Sequence, residues 1–89
     1  MSFARALRKV TGKAKVRAYE LSGTSGVDYS HIRRLLSGES QRPARGTIIR
    51  LGQALLDLSG DITLDHVDQL LIAAGKGPLR RERIVIDRS

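Results

Sequence analysis

Between Leu21 and Leu35 the chain meets three spacing demands at once, and together they restrict how it can fold. Ser22 supplies a small side chain, Gly26 follows four residues later, and Ile32 follows six residues after that. Two short helices crossing at a tight turn need this order. The first must present a small residue where the second crosses it. The turn needs a residue that tolerates positive φ, which glycine does without steric cost. The second helix must then bury a branched side chain beneath the crossing, and Leu21 and Leu35 fill the space around it.

Helical periodicity places further elements around this pair. Phe3, Leu7 and Val10 recur with Arg5, Arg8 and Lys9 between them, which predicts an amphipathic helix ending near Gly12. Residues 12–15 then read as a basic loop. Val16 to about Gly23 predicts a second helix, with Val16, Tyr19 and Leu21 as its apolar positions. Asp28 is placed to cap a third, in which Ile32, Leu35 and Leu36 form the buried stripe and Gly38 is the terminator. Residues 39–43 read as a polar loop. Ile48, Ile49, Leu51, Leu55 and Leu58 mark a fourth helix ending near Gly60. Thr63 caps a fifth containing Leu64, Val67, Leu70, Leu71 and Ala74, stopped by Gly75, Gly77 and Pro78. Three β-branched residues, Ile84, Val85 and Ile86, predict a short C-terminal strand. The expected architecture is all-α: one five-helix domain over residues 1–79, followed by a basic tail over residues 80–89.

Charge is unevenly distributed. Residues 1–50 carry eleven Lys/Arg and three acidic residues, a net of +8. Residues 51–79 carry one lysine and four aspartates, a net of −3. The last ten residues add +2, from four arginines against Glu82 and Asp87. A basic half beside an acidic one is the electrostatic footprint of a polyanion binder, although a solubilising surface produces the same imbalance. The absence of cysteine excludes disulfides, thiolate catalysis and cysteine zinc sites. No apolar run approaches the roughly 18 residues that span a membrane. The start, Met1-Ser2-Phe3-Ala4-Arg5, is too polar for a signal peptide, so a cytoplasmic location is expected. His31 and His66 lie far apart with no metal-ligand partners nearby. Asp57, Ser59, Asp61 and Asp68 have calcium-loop spacing, but Ile62 stands where the sharp turn of such a loop needs glycine. With no nucleophile–base pair and no phosphate-cradling glycine loop, neither enzymatic activity nor a cofactor is expected.

Ser25-Gly26-Val27, Ile32, Gly38-Glu39-Ser40-Gln41-Arg42-Pro43 and Ile48-Ile49-Arg50-Leu51-Gly52-Gln53-Ala54-Leu55 together resemble the lambda-repressor-like helix-turn-helix family, also called the XRE family. The resemblance runs roughly from Val16 to Gly75, and Gln69-Leu70-Leu71-Ile72-Ala73-Ala74-Gly75 is similar to the fifth helix of one subgroup. It implies a five-helix bundle whose third helix enters the DNA major groove. The implied function is sequence-specific binding of double-stranded DNA in transcription regulation, by family habit as a repressor. Three positions depart from the family pattern. Ala18 stands where a phosphate-contacting Gln is common, Leu36 where Glu is common, and Arg45 where an apolar residue is common. Lys15 or Arg17 is in position to replace the missing anchor.

On a helical wheel, Ser30, Arg33, Arg34 and Ser37 lie opposite the stripe of Ile32, Leu35 and Leu36. Taken as a recognition helix, this face holds the base readers. Arg34 comes first and Arg33 second, because an arginine donates two hydrogen bonds to guanine O6 and N7. Ser30 lies beside them. Tyr29 stands at the helix start, where a thymine methyl or a phosphate is in reach. Lys13, Lys15, Arg17, Ser37, Arg42 and Arg45 are the phosphate candidates. The plainer alternative for each charge is a solvated surface, and for Tyr29 it is packing over the rim of the core. A module this small usually lengthens its site by two-fold symmetry. A homodimer on a near-palindromic site is therefore expected. Residues 83–87, from Arg83 to Asp87, are its candidate contact through strand pairing, with a tail or linker as the alternative. Two rival functions remain: an antitoxin that binds DNA and a toxin protein, and a protein-interaction module that has lost DNA binding.

Overall fold

Backbone groups left free at helix ends must find partners, and short polar side chains and left-handed residues provide them here. The computed structural model describes residues 2–79. These form five helices: α1 (Phe3–Ala14), α2 (Ala18–Ser25), α3 (Tyr29–Ser37), α4 (Arg45–Leu58) and α5 (Leu64–Ala73). No strand occurs among the described residues. At the start of α1, Ser2 Oγ accepts from the Arg5 N–H at 3.2 Å. At the start of α3, the Asp28 carboxylate accepts from the N–H groups of Ser30 and His31, at 3.0 and 3.3 Å. At the start of α5, the Thr63 N–H donates to His66 Nδ1 at 3.0 Å, so histidine fills the place usually taken by Glu or Gln. Gly26 (φ 76°) ends α2 and Gly38 (φ 92°) ends α3, both left-handed.

The sequence expectations hold for the number and order of helices but shift at several boundaries. α1 does not stop at Gly12. It continues to Ala14, which packs against the core, and closes at Lys15. The expected basic loop is therefore mostly helix. α2 begins at Ala18 rather than Val16, and passes through Gly23. Tyr19 is not a core residue; it is 62% exposed. Positions two apart on a helix are separated by about 200°, so with Leu21 buried Tyr19 must face outward. Val16 packs against the core from the connection before the helix. Leu58 and Leu64 flank the α4–α5 turn and remain exposed, and Leu36 is half-buried. The expected strand at residues 83–87 lies outside the described residues.

The helices close around one core. α1 packs against α3, α4 and α5, α2 packs against α3 and α4, and α4 packs against α5. Phe3, Leu7 and Val10 of α1 join Leu21, Ile32, Leu35, Ile48, Leu51, Leu55, Leu70 and Leu71 in a single buried cluster. The connection after α5 is pinned back onto this body. The Leu79 N–H donates to the buried Asp68 carboxylate at 2.9 Å, and Arg45 donates to the carbonyls of Gly77 and Pro78 at 2.6 and 3.2 Å. No helix among the described residues is long and apolar enough to cross a membrane.

α5 approaches α4 closely at Gly52, where an added Cβ would lie 2.7 and 2.8 Å from the two γ carbons of Val67. Glycine is costly in a helix interior, by about 1 kcal/mol against alanine, so its presence in mid-α4 reflects the approach of α5. Gly23 has the same cost without the crowding, since nothing lies near its missing Cβ. Gly23→Ala is therefore expected to stabilise the fold by about 0.5–1 kcal/mol. Gly52→Ala is expected to destabilise it by about 1–2 kcal/mol through overpacking. Val67→Ala should relieve the second change, giving a favourable coupling of about 1 kcal/mol in a double-mutant cycle. Urea denaturation of the four variants checks this, and additive losses at Gly52 and Val67 would contradict it.

Candidate nucleic-acid interface

α2 and α3 are joined by three residues, 26–28, and their crossing is tightly specified. The Ser22 hydroxyl donates to the Val27 carbonyl at 2.7 Å, and the Gly26 N–H donates to the Ser22 carbonyl at 3.0 Å. The Val27 N–H donates to Ser25 Oγ at 3.1 Å. One small side chain thus both admits α3 and satisfies a carbonyl in the turn. Leu21, Ile32 and Leu35 lie fully buried below it. The far end of α3 is held by α1, where the Arg8 guanidinium donates to the Leu36 carbonyl. Cations suit this position, because the last carbonyls of a helix carry its partial negative charge.

With Ile32 and Leu35 turned inward, α3 presents Tyr29, Ser30, Arg33, Arg34 and Ser37 together on its exposed side. Two of these side chains are coupled. Arg33 Nη1 donates to the Tyr29 hydroxyl at 2.9 Å, and its guanidinium carbon lies 5.7 Å from the centre of the Tyr29 ring. Tyr29 is 43% exposed, so it does not close over the core. Arg34 is exposed, and its side chain makes no polar contact among the described residues. The Ser37 hydroxyl donates to the Arg34 carbonyl at 3.1 Å and helps end the helix.

The candidate phosphate contacts divide into two groups. Lys13, Lys15 and Arg17 follow one another through the end of α1 and the start of α2. Arg8, Lys15 and Arg17 also line an open depression there with Thr11, Gly12 and Val16. Arg17 is the residue before α2. Its N–H donates to Glu20 Oε1 at 2.9 Å, and no side chain caps the N–H groups of the first α2 turn. Arg42 is exposed in the loop before α4. Arg45 is different, because its guanidinium is already engaged on Gly77 and Pro78. The net charge imbalance has a spatial counterpart. The α3 backbone runs beside α1 and α2, both in the basic half, and meets α4 and α5 only through the shared core. Asp57, Asp61 and Asp65 lie exposed along the end of α4, the turn and the start of α5.

Sequence reasoning missed three arrangements. The Tyr29–Arg33 pair was available from its i, i+4 spacing, where helical side chains meet. The contacts of Arg8 with α3 and of Arg45 with the segment after α5 bridge 28 and 32 residues, and local sequence carries no signal for them. Comparison with known protein families, characterised proteins and solved structures finds no match to the chain.

Lys15 is the one non-glycine residue with positive φ among the described residues, at φ 58° and ψ 43°. Its N–H and that of Val16 close α1 on the carbonyls of Gly12 and Thr11, at 3.2 and 3.1 Å, a place that usually holds glycine. The left-handed conformation costs a side chain about 1–2 kcal/mol. Lys15→Gly is therefore expected to raise stability, by about 1 kcal/mol once the larger chain entropy of glycine is set against the relief. Thermal unfolding checks this. A fall in stability would show that the lysine stem contributes more by packing than its backbone loses by strain.

Proposed function

We propose that the chain is a sequence-specific double-stranded DNA-binding regulator of the lambda-repressor-like helix-turn-helix kind, acting by binding rather than catalysis. In this reading α2 and α3 are the helix-turn-helix, and α3 is the recognition helix. The observation that carries it is the exposed side of α3. Two arginines, a tyrosine and two serines are held there on a helix fixed at both ends, within the basic half of the chain. Long cationic donors on a rigid helix are what base-edge readout in a major groove requires.

Lys13, Lys15, Arg17 and Arg42 supply the phosphate contacts that set register. The first turn of α2 adds backbone N–H groups, which bind phosphate at a helix start, beside the Glu20 carboxylate that accepts from Arg17. They lie next to Ala18, where the family resemblance lacks its usual glutamine. The regulator works in the cytoplasm as a repressor, on a near-palindromic site occupied by two copies.

The experiment separates readout from anchoring. Arg34→Ala is expected to cost about 1–3 kcal/mol at the preferred site and to relax one base preference. Arg42→Ala is expected to weaken all duplexes alike. Selection from a random duplex pool with each variant reads both effects. If Arg34→Ala leaves the selected motif unchanged, this face of α3 is not the reader.

A further inference from the structure

We infer that Tyr29 and Arg33 act as one recognition unit for a thymine and a guanine lying one or two base pairs apart in the target duplex. This inference rests on the DNA-binding reading of α3 and deepens it. The two side chains stand four residues apart on the exposed face, joined by the 2.9 Å hydrogen bond and by a cation–π contact at 5.7 Å. An isolated surface arginine samples many rotamers and loses that freedom when it binds. Here the guanidinium is already held by the tyrosine hydroxyl, so less freedom is lost on reaching a base.

The bond also selects which edge of the guanidinium remains available. Arg33 donates to Tyr29 from Nη1. The Nε and Nη2 edge is left with two parallel N–H donors, the pattern that matches guanine O6 and N7. The tyrosine hydroxyl uses an acceptor site on Arg33 and keeps its own proton to donate. Its ring edge is the apolar surface of the pair, and the apolar group that the major groove offers is the thymine methyl. Base pairs rise by about 3.4 Å each. The 5.7 Å between ring centre and guanidinium carbon therefore places the two contacts within two consecutive steps. Arg34, which has no partner among the described residues, is not bound to this spacing.

The test uses the full chain and the duplex it selects from a random pool. The expected site contains a thymine and a guanine one or two positions apart. Replacing that thymine by deoxyuridine removes only the methyl group and should weaken binding about fourfold. Tyr29→Phe keeps the ring and removes the hydroxyl that holds Arg33. It should preserve the thymine-over-deoxyuridine difference and reduce the guanine preference about two- to tenfold. Arg33→Ala should abolish that guanine preference, and Tyr29→Ala should abolish the thymine-over-deoxyuridine difference. Both positions are exposed, and circular dichroism verifies that the variants are folded. A selected site in which deoxyuridine substitution has no effect anywhere overturns the unit. So does a guanine preference that Tyr29→Phe leaves at full strength. Loss of all duplex binding by the wild-type chain would instead overturn the DNA-binding reading, and the unit with it.

Discussion

α3 can take its position only because α2 offers it a small residue at the crossing. Ser22 has room for the turn to fold over it, and its hydroxyl serves the Val27 carbonyl, which would otherwise lose water without a replacement. Gly26 turns the chain in a left-handed conformation that a branched residue would resist. Ile32 then drops into the core between Leu21 and Leu35. These steps depend on one another. A larger residue at 22 would lift α3, expose Ile32 and rotate the whole outward face.

The consequence is a helix whose inner side is fixed and whose outer side is free to carry chemistry. α1 supports α3 along its length and holds the Leu36 carbonyl through Arg8. Asp28 satisfies the other end. A nine-residue helix would not be stable alone, so its rigidity comes from these anchors. A helix whose backbone is already fixed loses no backbone freedom when it engages a partner, and charge in the same half attracts a polyanion from a distance. The exposed acidic residues Asp57 and Asp65 lie on α4 and α5, whose backbones do not run beside α3.

Much of the fold was legible in the sequence because helix ends and core stripes are local. Asp28 with Gly38 framed α3, Thr63 marked α5, and the spacing from Ser22 through Gly26 to Ile32 placed the turn. Errors arose where tertiary packing overrode local preference. Gly12 was read as a stop, but α1 runs on until Ala14 meets the core. Tyr19 was read as one of the apolar positions of α2, whereas the inward face of that helix is taken by Ala18 and Leu21 and leaves Tyr19 outside. In the candidate interface, the wheel found which side chains share a face. It did not show that Arg33 is tied to Tyr29 while Arg34 has no such partner among the described residues, nor that Arg45 is spent on Gly77 and Pro78. Those distinctions depend on rotamers and on contacts distant in sequence.

The central claim is that this surface binds the DNA backbone, and the affinity of the full chain for random-sequence duplex as a function of salt tests it most directly. Lys13, Lys15, Arg17 and Arg42, with one or two of the α3 arginines, would neutralise about four to six phosphates per subunit, giving a log–log slope near −4 to −5 per subunit. The account predicts that slope between roughly 50 and 200 mM salt. An affinity that does not change over this range would contradict it.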